Sequence, residues 1–253
     1  MFKVGIIGDE ASQDFQTVVD MAVEFNLDSI EVRSVWDKAP QELTDQDIDN
    51  MKQILEGTNV KIIGIASPFY KCDIDNTEER KEHINILKRC IKLAKAFDVN
   101  LIRTFVFWKI DNIEERWGEI VGSYDEPVRI AESEGITLGM ENEYSTNLAT
   151  AKLTERFIGE IDSPSVKAIW DPANEARADQ DGEPPFPDAY NRLKPFMIHA
   201  HLKDAARDPK TGEMDSVEVG TGIIDWQGQL QAFIDDGYQG HLTLETHWRP
   251  TLK

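Results

Sequence analysis

The sequence predicts a single (β/α)8 TIM barrel over residues 1–253, with its eighth helix short or missing. Three observations carry this. Short apolar, strand-like runs alternate with longer amphipathic runs, and repeated β-then-α units with right-handed crossovers give parallel strands. The strand-like runs number eight, which close more naturally into a barrel than into an open sheet. The length suits one large α/β domain, and no low-complexity linker divides it.

The first strand is predicted at 3–8. Helix 12–25 follows, with Phe15, Val18, Val19, Ala22 and Val23 at spacings of three and four. After strand 29–33, helix 44–55 starts at Thr44, with Asp47 three residues on in a near capping box. Strand 61–66 leads to helix 77–97, which carries Ile84, Leu87, Ile91 and Ala94 on one stripe. Strand 101–107 precedes helix 113–134, and strand 137–141 precedes helix 148–161. Strand 167–171 runs into a proline-rich loop at 179–187 and a short helix at 188–193. Strand 197–202 is followed by a long loop at 205–224 and helix 226–235. Both long loops would lie on the C-terminal face of a parallel barrel, where sites are built. Strand 242–245 is followed by residues 246–253, too few for a full helix, so barrel wall near the first helix is expected to be bare and open to a subunit partner in a homo-oligomer.

A net charge of −20 argues against nucleic acid, whose phosphates call for clustered Lys and Arg. Cys72 and Cys90 form no paired motif, so a reduced, cytoplasmic setting is the simpler expectation. No stretch has the make-up of a signal peptide or a membrane span, and no membrane partner is expected.

Four successive strand ends each carry a metal-grade ligand. The segments ITLGMEN, VKAIWD, FMIHAHLK and HLTLETH offer Glu141, Asp171, His201 and Glu245. Singly, each has an ordinary reading: a solvated strand-end acid, an Asp-Pro turn, a core histidine. In succession, spaced by roughly 30 to 45 residues, they suggest parallel strands pointing at one ion. Three carboxylates with one imidazole suit a single divalent cation such as Mn²⁺, Mg²⁺, Co²⁺ or Zn²⁺.

The segments GMENE (139–143), WDPAN (170–174), HAHLKD (199–204), VGTGIIDW (219–226) and GYQGHLTLE (237–245) resemble the sugar phosphate isomerase/epimerase superfamily, the xylose-isomerase-like TIM barrels. SIEVR (29–33) and LIRTF (101–105) add weaker matches, and the resemblance covers nearly the whole chain. It implies a divalent ion on Glu141, Asp171, His201 and Glu245, and it favours His201 over His199 because His201 stands just before Leu-Lys-Asp. In the ketose 3-epimerase branch a substrate-contacting Arg follows the ligand His by six residues, where this chain has Arg207. That branch has a His where this chain has Asn174 and a Glu where it has Asn147, so two of its three substrate contacts differ here.

The expected function is that of a divalent-metal-dependent isomerase or epimerase. It would act on a sugar, keto-sugar or sugar phosphate through an enediolate, with Glu141 and Glu245 as acid and base. The same machinery could eliminate water from a keto-sugar, making a dehydratase or lyase. A non-catalytic sugar-binding barrel has no need of two acid/base carboxylates. An endonuclease-IV-like nuclease needs more histidine ligands and a basic DNA face, and five histidines with a net charge of −20 argue against it. Lys203, Arg207, Asn174, Trp108 and His247 are the expected substrate contacts, with Arg103 near the mouth; His199 is expected first as a deeper interior residue and second as a substrate contact. Glu31 and Arg33 share a strand face and are expected to pair. Trp36 and Trp248, like Trp108, fall just after strands. His83 is expected at the surface. Gly220 and Gly222 precede Asp225, a plausible N-cap, and their amides would suit a phosphate, although no nucleotide fingerprint surrounds them.

Overall fold

The structure is a computed structural model, and it describes residues 2–178 and 182–249. Eight parallel strands close into a barrel: β1 (Lys3–Ile7), β2 (Ser29–Val32), β3 (Lys61–Ile65), β4 (Leu101–Thr104), β5 (Thr137–Glu141), β6 (Val166–Trp170), β7 (Met197–Leu202) and β10 (His241–Leu244). β10 pairs with both β7 and β1, with Lys3 opposite His241, so no edge is left open. The helices surround this ring. α1 (Phe15–Glu24) buries Phe15, Val18, Val19 and Ala22, the stripe its spacing predicts. α2 (Asp45–Leu55) is capped by Thr44 and Asp47 in a reciprocal box, each side chain taking the other's backbone N–H. α3 (Thr77–Ala96) is capped by Asn76.

The predicted helix 113–134 is two helices, α4 (Ile113–Gly122) and α5 (Asp125–Glu134). Pro127 explains the break: in a continuous helix its ring would meet the carbonyl of Ser123, whereas in the first turn of α5 its missing N–H costs nothing. α6 (Ala151–Ile161) follows β5, capped by Thr150. α7 (Pro172–Arg177) springs directly from the end of β6. Of the proline-rich loop, residues 179–181 lie outside the described residues, and Pro185–Ala189 form a π-helical turn into α8 (Tyr190–Leu193). The long loop after β7 contains an antiparallel hairpin, β8 (Asp204–Arg207) with β9 (Met214–Val217), before α9 (Trp226–Asp235). After β10 none of the described residues is helical, and residues 250–253 lie outside the description. No helix among the described residues is long and apolar enough to cross a membrane.

The outer strand faces and the helices share the apolar core. The barrel interior is apolar only low down. Gly139 is required there: a Cβ would lie 2.6 Å from the Ile169 side chain. Higher up, Glu31, Arg103, Glu141, Asp171, His199, His201, Lys203, Thr243 and Glu245 are all buried. Buried charges are expensive and rarely chosen for stability, so this layer marks the site.

Candidate metal centre

Glu141 closes β5, Asp171 follows β6, His201 lies in β7, and Glu245 follows β10. All four are inward positions of their strands, and they offer ligand atoms within 4.8 Å of one another. His201 Nδ1 lies 3.2 Å from Glu141 Oε1, 3.3 Å from Glu245 Oε2 and 4.0 Å from Asp171 Oδ2. Asp171 is also the N-cap of α7: its Oδ1 accepts from the amides of Ala173 and Asn174, which leaves Oδ2 turned to the cluster.

The donor set fits a divalent ion in three respects. Three carboxylates and an imidazole suit a hard or borderline cation. Glu141 Oε2 is buried with no hydrogen-bond donor; Arg103 Nη1, 3.2 Å away, forms an ion pair with it outside hydrogen-bond geometry. Such an oxygen is normally satisfied in a folded protein. Finally, His201 Nε2 lies 3.3 Å from Glu31 Oε2. A proton held there leaves Nδ1 with its lone pair toward the acids, the usual arrangement of a metal-binding histidine backed by a carboxylate.

Three cations brace the acids. Arg103 Nη1 is 3.2 Å from Glu245 Oε1, and Arg33 Nη1 is 2.8 Å from the same atom. Lys203 Nζ bridges Asp171 Oδ2 at 3.1 Å and Glu245 Oε2 at 3.2 Å. Burial works against ionised Glu245, but Lys203, His201 and Arg103 outweigh it and hold its pKa well below the carboxylate range. Burial also raises Asp171. Lys203 offsets this only in part, and Glu141 and Glu245 add to it, so its pKa ends above the ordinary value. For His201 burial opposes the charge, yet Glu141, Glu245 and Glu31 keep the ring protonated well above its ordinary pKa. Without a metal, the imidazolium and the three cations neutralise the acids.

Above the cluster opens a cavity of about 510 Å³. Lys203 and Asn174 lie toward the ligands, and Lys71, Trp108, Arg177 and His247 line it with hairpin residues Met214–Ser216. A second cleft, of about 610 Å³, runs along α4 and α6 away from the four ligands. Its cations Arg156 and Arg192 are already paired with Glu114, Glu160, Glu155 and Glu183.

A sequence profile described as xylose isomerase-like TIM barrel matches residues 19–253. The chain belongs to this xylose isomerase-like TIM barrel family. Among curated proteins it resembles the inosose dehydratase of Klebsiella pneumoniae (strain 342), 26% identical over 153 residues, or 55% of this chain and 50% of that protein. The chain thus spans about half the length of the curated relatives it matches. Among solved structures, the apo 3-keto-D-glucoside 4-epimerase from E. coli superposes with a TM-score of 0.76 at 16% identity, covering 99% of this chain and 94% of that one. The IOLI protein with a bound zinc atom superposes with a TM-score of 0.79 at 17% identity, covering 97% and 89%.

Within this family barrel, the remaining expected site residues fall into two groups. Asn174 is buried, donates to Glu141 Oε1 at 3.2 Å, and has a carbonyl oxygen without a partner. Trp108 and His247 line the mouth, and His247 reaches Glu10 at 2.9 Å. His199 lies deeper, 3.0 Å from Glu31 Oε2 and hydrogen-bonded to Thr243, and does not line the cavity. Arg207 is exposed at the end of β8, where it donates to the Gly212 carbonyl across the hairpin; it too is absent from the cavity lining. Arg33 pairs with Asp9, Glu10 and Glu245, and Glu31 with the two histidines, so these strand neighbours do not serve each other. His83 is buried, accepting from the Tyr70 amide. The amides of Gly220 and Gly222 bind the buried Asp204 carboxylate and are not open to a phosphate. Asp225 does cap α9.

Lys71, Glu143, Tyr144 and Arg177 were not expected at the mouth. Arg177 ends a six-residue helix too short to show periodicity. Lys71 stands over Phe105 in a loop after β3 that carries no motif.

Proposed function

We propose that this chain is a divalent-metal-dependent enzyme that moves protons beside the carbonyl of a small polyhydroxylated compound, as an isomerase or epimerase. The observation that carries the reading is the convergence of Glu141, Asp171, His201 and Glu245 within 4.8 Å at the mouth of the barrel. Similarity to sugar epimerases and to a zinc-holding barrel supports it. Asp171 and His201 would mainly hold the ion. A divalent ion there supplies Lewis-acid stabilisation of negative charge developing on the substrate oxygens.

The protein's own groups divide the remaining work. Glu141 and Glu245 rise from non-adjacent strands and flank the cluster, so one removes the carbon-bound proton and the other returns it. Each such transfer contributes about 10²–10⁴-fold. Asn174 orients Glu141 through its amide. Arg103, bridging Glu141 and Glu245, fixes their separation and favours their ionised forms. The hairpin β8–β9 walls one side of the cavity, tied to α7 by the Arg177–Ser216 hydrogen bond of 3.0 Å. The buried thiols Cys72 and Cys90 suit a cytoplasmic enzyme.

A dehydratase outcome is the second reading. Lys203 supports it, because its ammonium lines the cavity beside Glu245, where it can hydrogen-bond a leaving hydroxyl and stabilise the charge developing there. The similarity to inosose dehydratases points the same way. The test is a panel of keto-sugars and keto-acids incubated in D₂O with Mn²⁺ and read by NMR. An isomerase or epimerase yields a deuterated isomer of unchanged mass apart from the label, and a dehydratase yields an enone or dione that has lost water. No EDTA-sensitive exchange with any member of a broad panel would count against both.

A further inference from the structure

Building on the metal-dependent reading above, we propose that the substrate carries an anionic group, a carboxylate or a phosphate ester, received at the mouth by Arg177 while Lys203 faces its reacting end.

The first support is charge balance. Among the described residues Arg103 pairs only with Glu141 and Glu245, and Lys203 only with Asp171 and Glu245. Arg33 is shared with Asp9 and Glu10 outside the set. With Glu31 buried behind His201, four carboxylates face two dedicated cations, and a divalent ion brings the set to neutrality. A neutral metal-loaded core leaves the charge of a further cation at the mouth uncompensated, and in low-dielectric surroundings that charge favours an anion over a neutral sugar.

Arg177 supports the proposal independently. It is half-buried, lines the same cavity as Lys203 and Asn174, and donates to Ser216 Oγ at 3.0 Å, with Tyr144 under its guanidinium at 5.8 Å. Among the described residues it has no carboxylate partner. In a chain with 47 acids and 27 Lys and Arg, that is unusual placement. Arg33, Arg103 and Arg192, by contrast, each hold two or more carboxylates. A guanidinium fork that is held in place without a counter-ion suits a carboxylate or phosphate. The acids of the mouth do not cancel it: Glu143 is paired with Lys71 at 3.5 Å, and Asp215 sits exposed on the hairpin rim.

The experiment is calorimetric titration of the Mn²⁺-loaded full chain with D-fructose, 2-keto-D-gluconate and D-fructose 6-phosphate at low salt. At least one anionic probe should bind about tenfold tighter than fructose, the gain expected from one added ion pair in a partly buried site. The two anionic arms separate carboxylate from phosphate. Arg177→Gln should erase the preference for the anion over fructose, while Arg177→Lys should keep part of it. Equal binding of all three probes, no binding of either anion, or a preference that survives in Arg177→Gln overturns the proposal and leaves the metal reading standing. Failure of Mn²⁺ itself to bind, seen in the preceding metal titration, overturns both.

Discussion

Lys203→Met is expected to move stability and metal affinity in opposite directions. The Lys203 ammonium is 97% removed from solvent and lies 3.1 Å from Asp171 Oδ2 and 3.2 Å from Glu245 Oε2. At an effective dielectric of about 20, each contact is worth roughly 5 kcal/mol before desolvation. Stripping one partner from such a buried set costs about 3–5 kcal/mol, because the remaining charges are left uncompensated. For a chain of this size that lowers Tm by roughly 10 °C in the metal-free protein. A bound divalent ion takes over the neutralisation of Asp171 and Glu245, so the loss should be much smaller in the loaded protein. By linkage, metal must then bind the variant more tightly, by at least about tenfold for each 1.4 kcal/mol of difference. Thermal melts with EDTA and with Mn²⁺, and a Mn²⁺ titration of both proteins, measure the whole cycle. Equal destabilisation in the two states, or weaker Mn²⁺ binding by the variant, would refute the coupling of Lys203 to the metal set.

Metal affinity should rise with pH through the neutral range, about tenfold per unit, because the carboxylates hold a proton on His201 that the ion must displace. Titration at pH 6, 7 and 8, with proton release read in two buffers, checks this, and an affinity flat in pH would contradict it. Buried Glu175 accepts from the amides of Ala151 and Glu183, and burial raises its pKa from 4.5 to about 7. A raised folded-state value means the stability is full below pH 4.5 and lost as pH rises to about 7, a fall of roughly 3 kcal/mol. Urea unfolding at pH 5 and 7.5 should show that decline in wild type and lose it in Glu175→Gln. Asp204 receives the amides of Ala205, Gly220, Gly222 and Ile224. Asp204→Asn should therefore cost about 2–4 kcal/mol in chemical unfolding and loosen the segment after the hairpin in hydrogen exchange.

The barrel was legible in the sequence because its strands are buried on both faces and read as apolar runs between amphipathic helices. The ligands were legible for a related reason. A charged or imidazole side chain ending a buried run must find a partner, and four in series at barrel spacing can find it in one shared ion. Elements that lack a buried face were hidden. The hairpin strands DAAR and MDSV are short and partly exposed, with no alternation to detect. The break at Pro127 interrupts a pattern whose apolar residues keep their helical spacing on both sides. Side chains whose role depends on a distant partner were hidden as well. His83 reads as surface on a polar helix until the Tyr70 amide is seen against it. Arg207 and Arg177 both follow a ligand by six residues, and nothing local says that the first turns back into its hairpin while the second faces the mouth.

The central claim is that Glu141 and Glu245 transfer protons beside a carbonyl at a metal-loaded centre. The direct measurement is solvent deuterium incorporation into a substrate found in the panel, for wild type, Glu141→Gln and Glu245→Gln, at saturating Mn²⁺ with occupancy verified by EPR. Wild type should exchange and turn over, and both variants should lose product formation by at least about 10²-fold. One variant should retain exchange at the first carbon while the other loses it. Wild-type-like turnover in either variant with metal bound would contradict the account and assign the proton to another group, with Lys203 and His247 the nearest candidates.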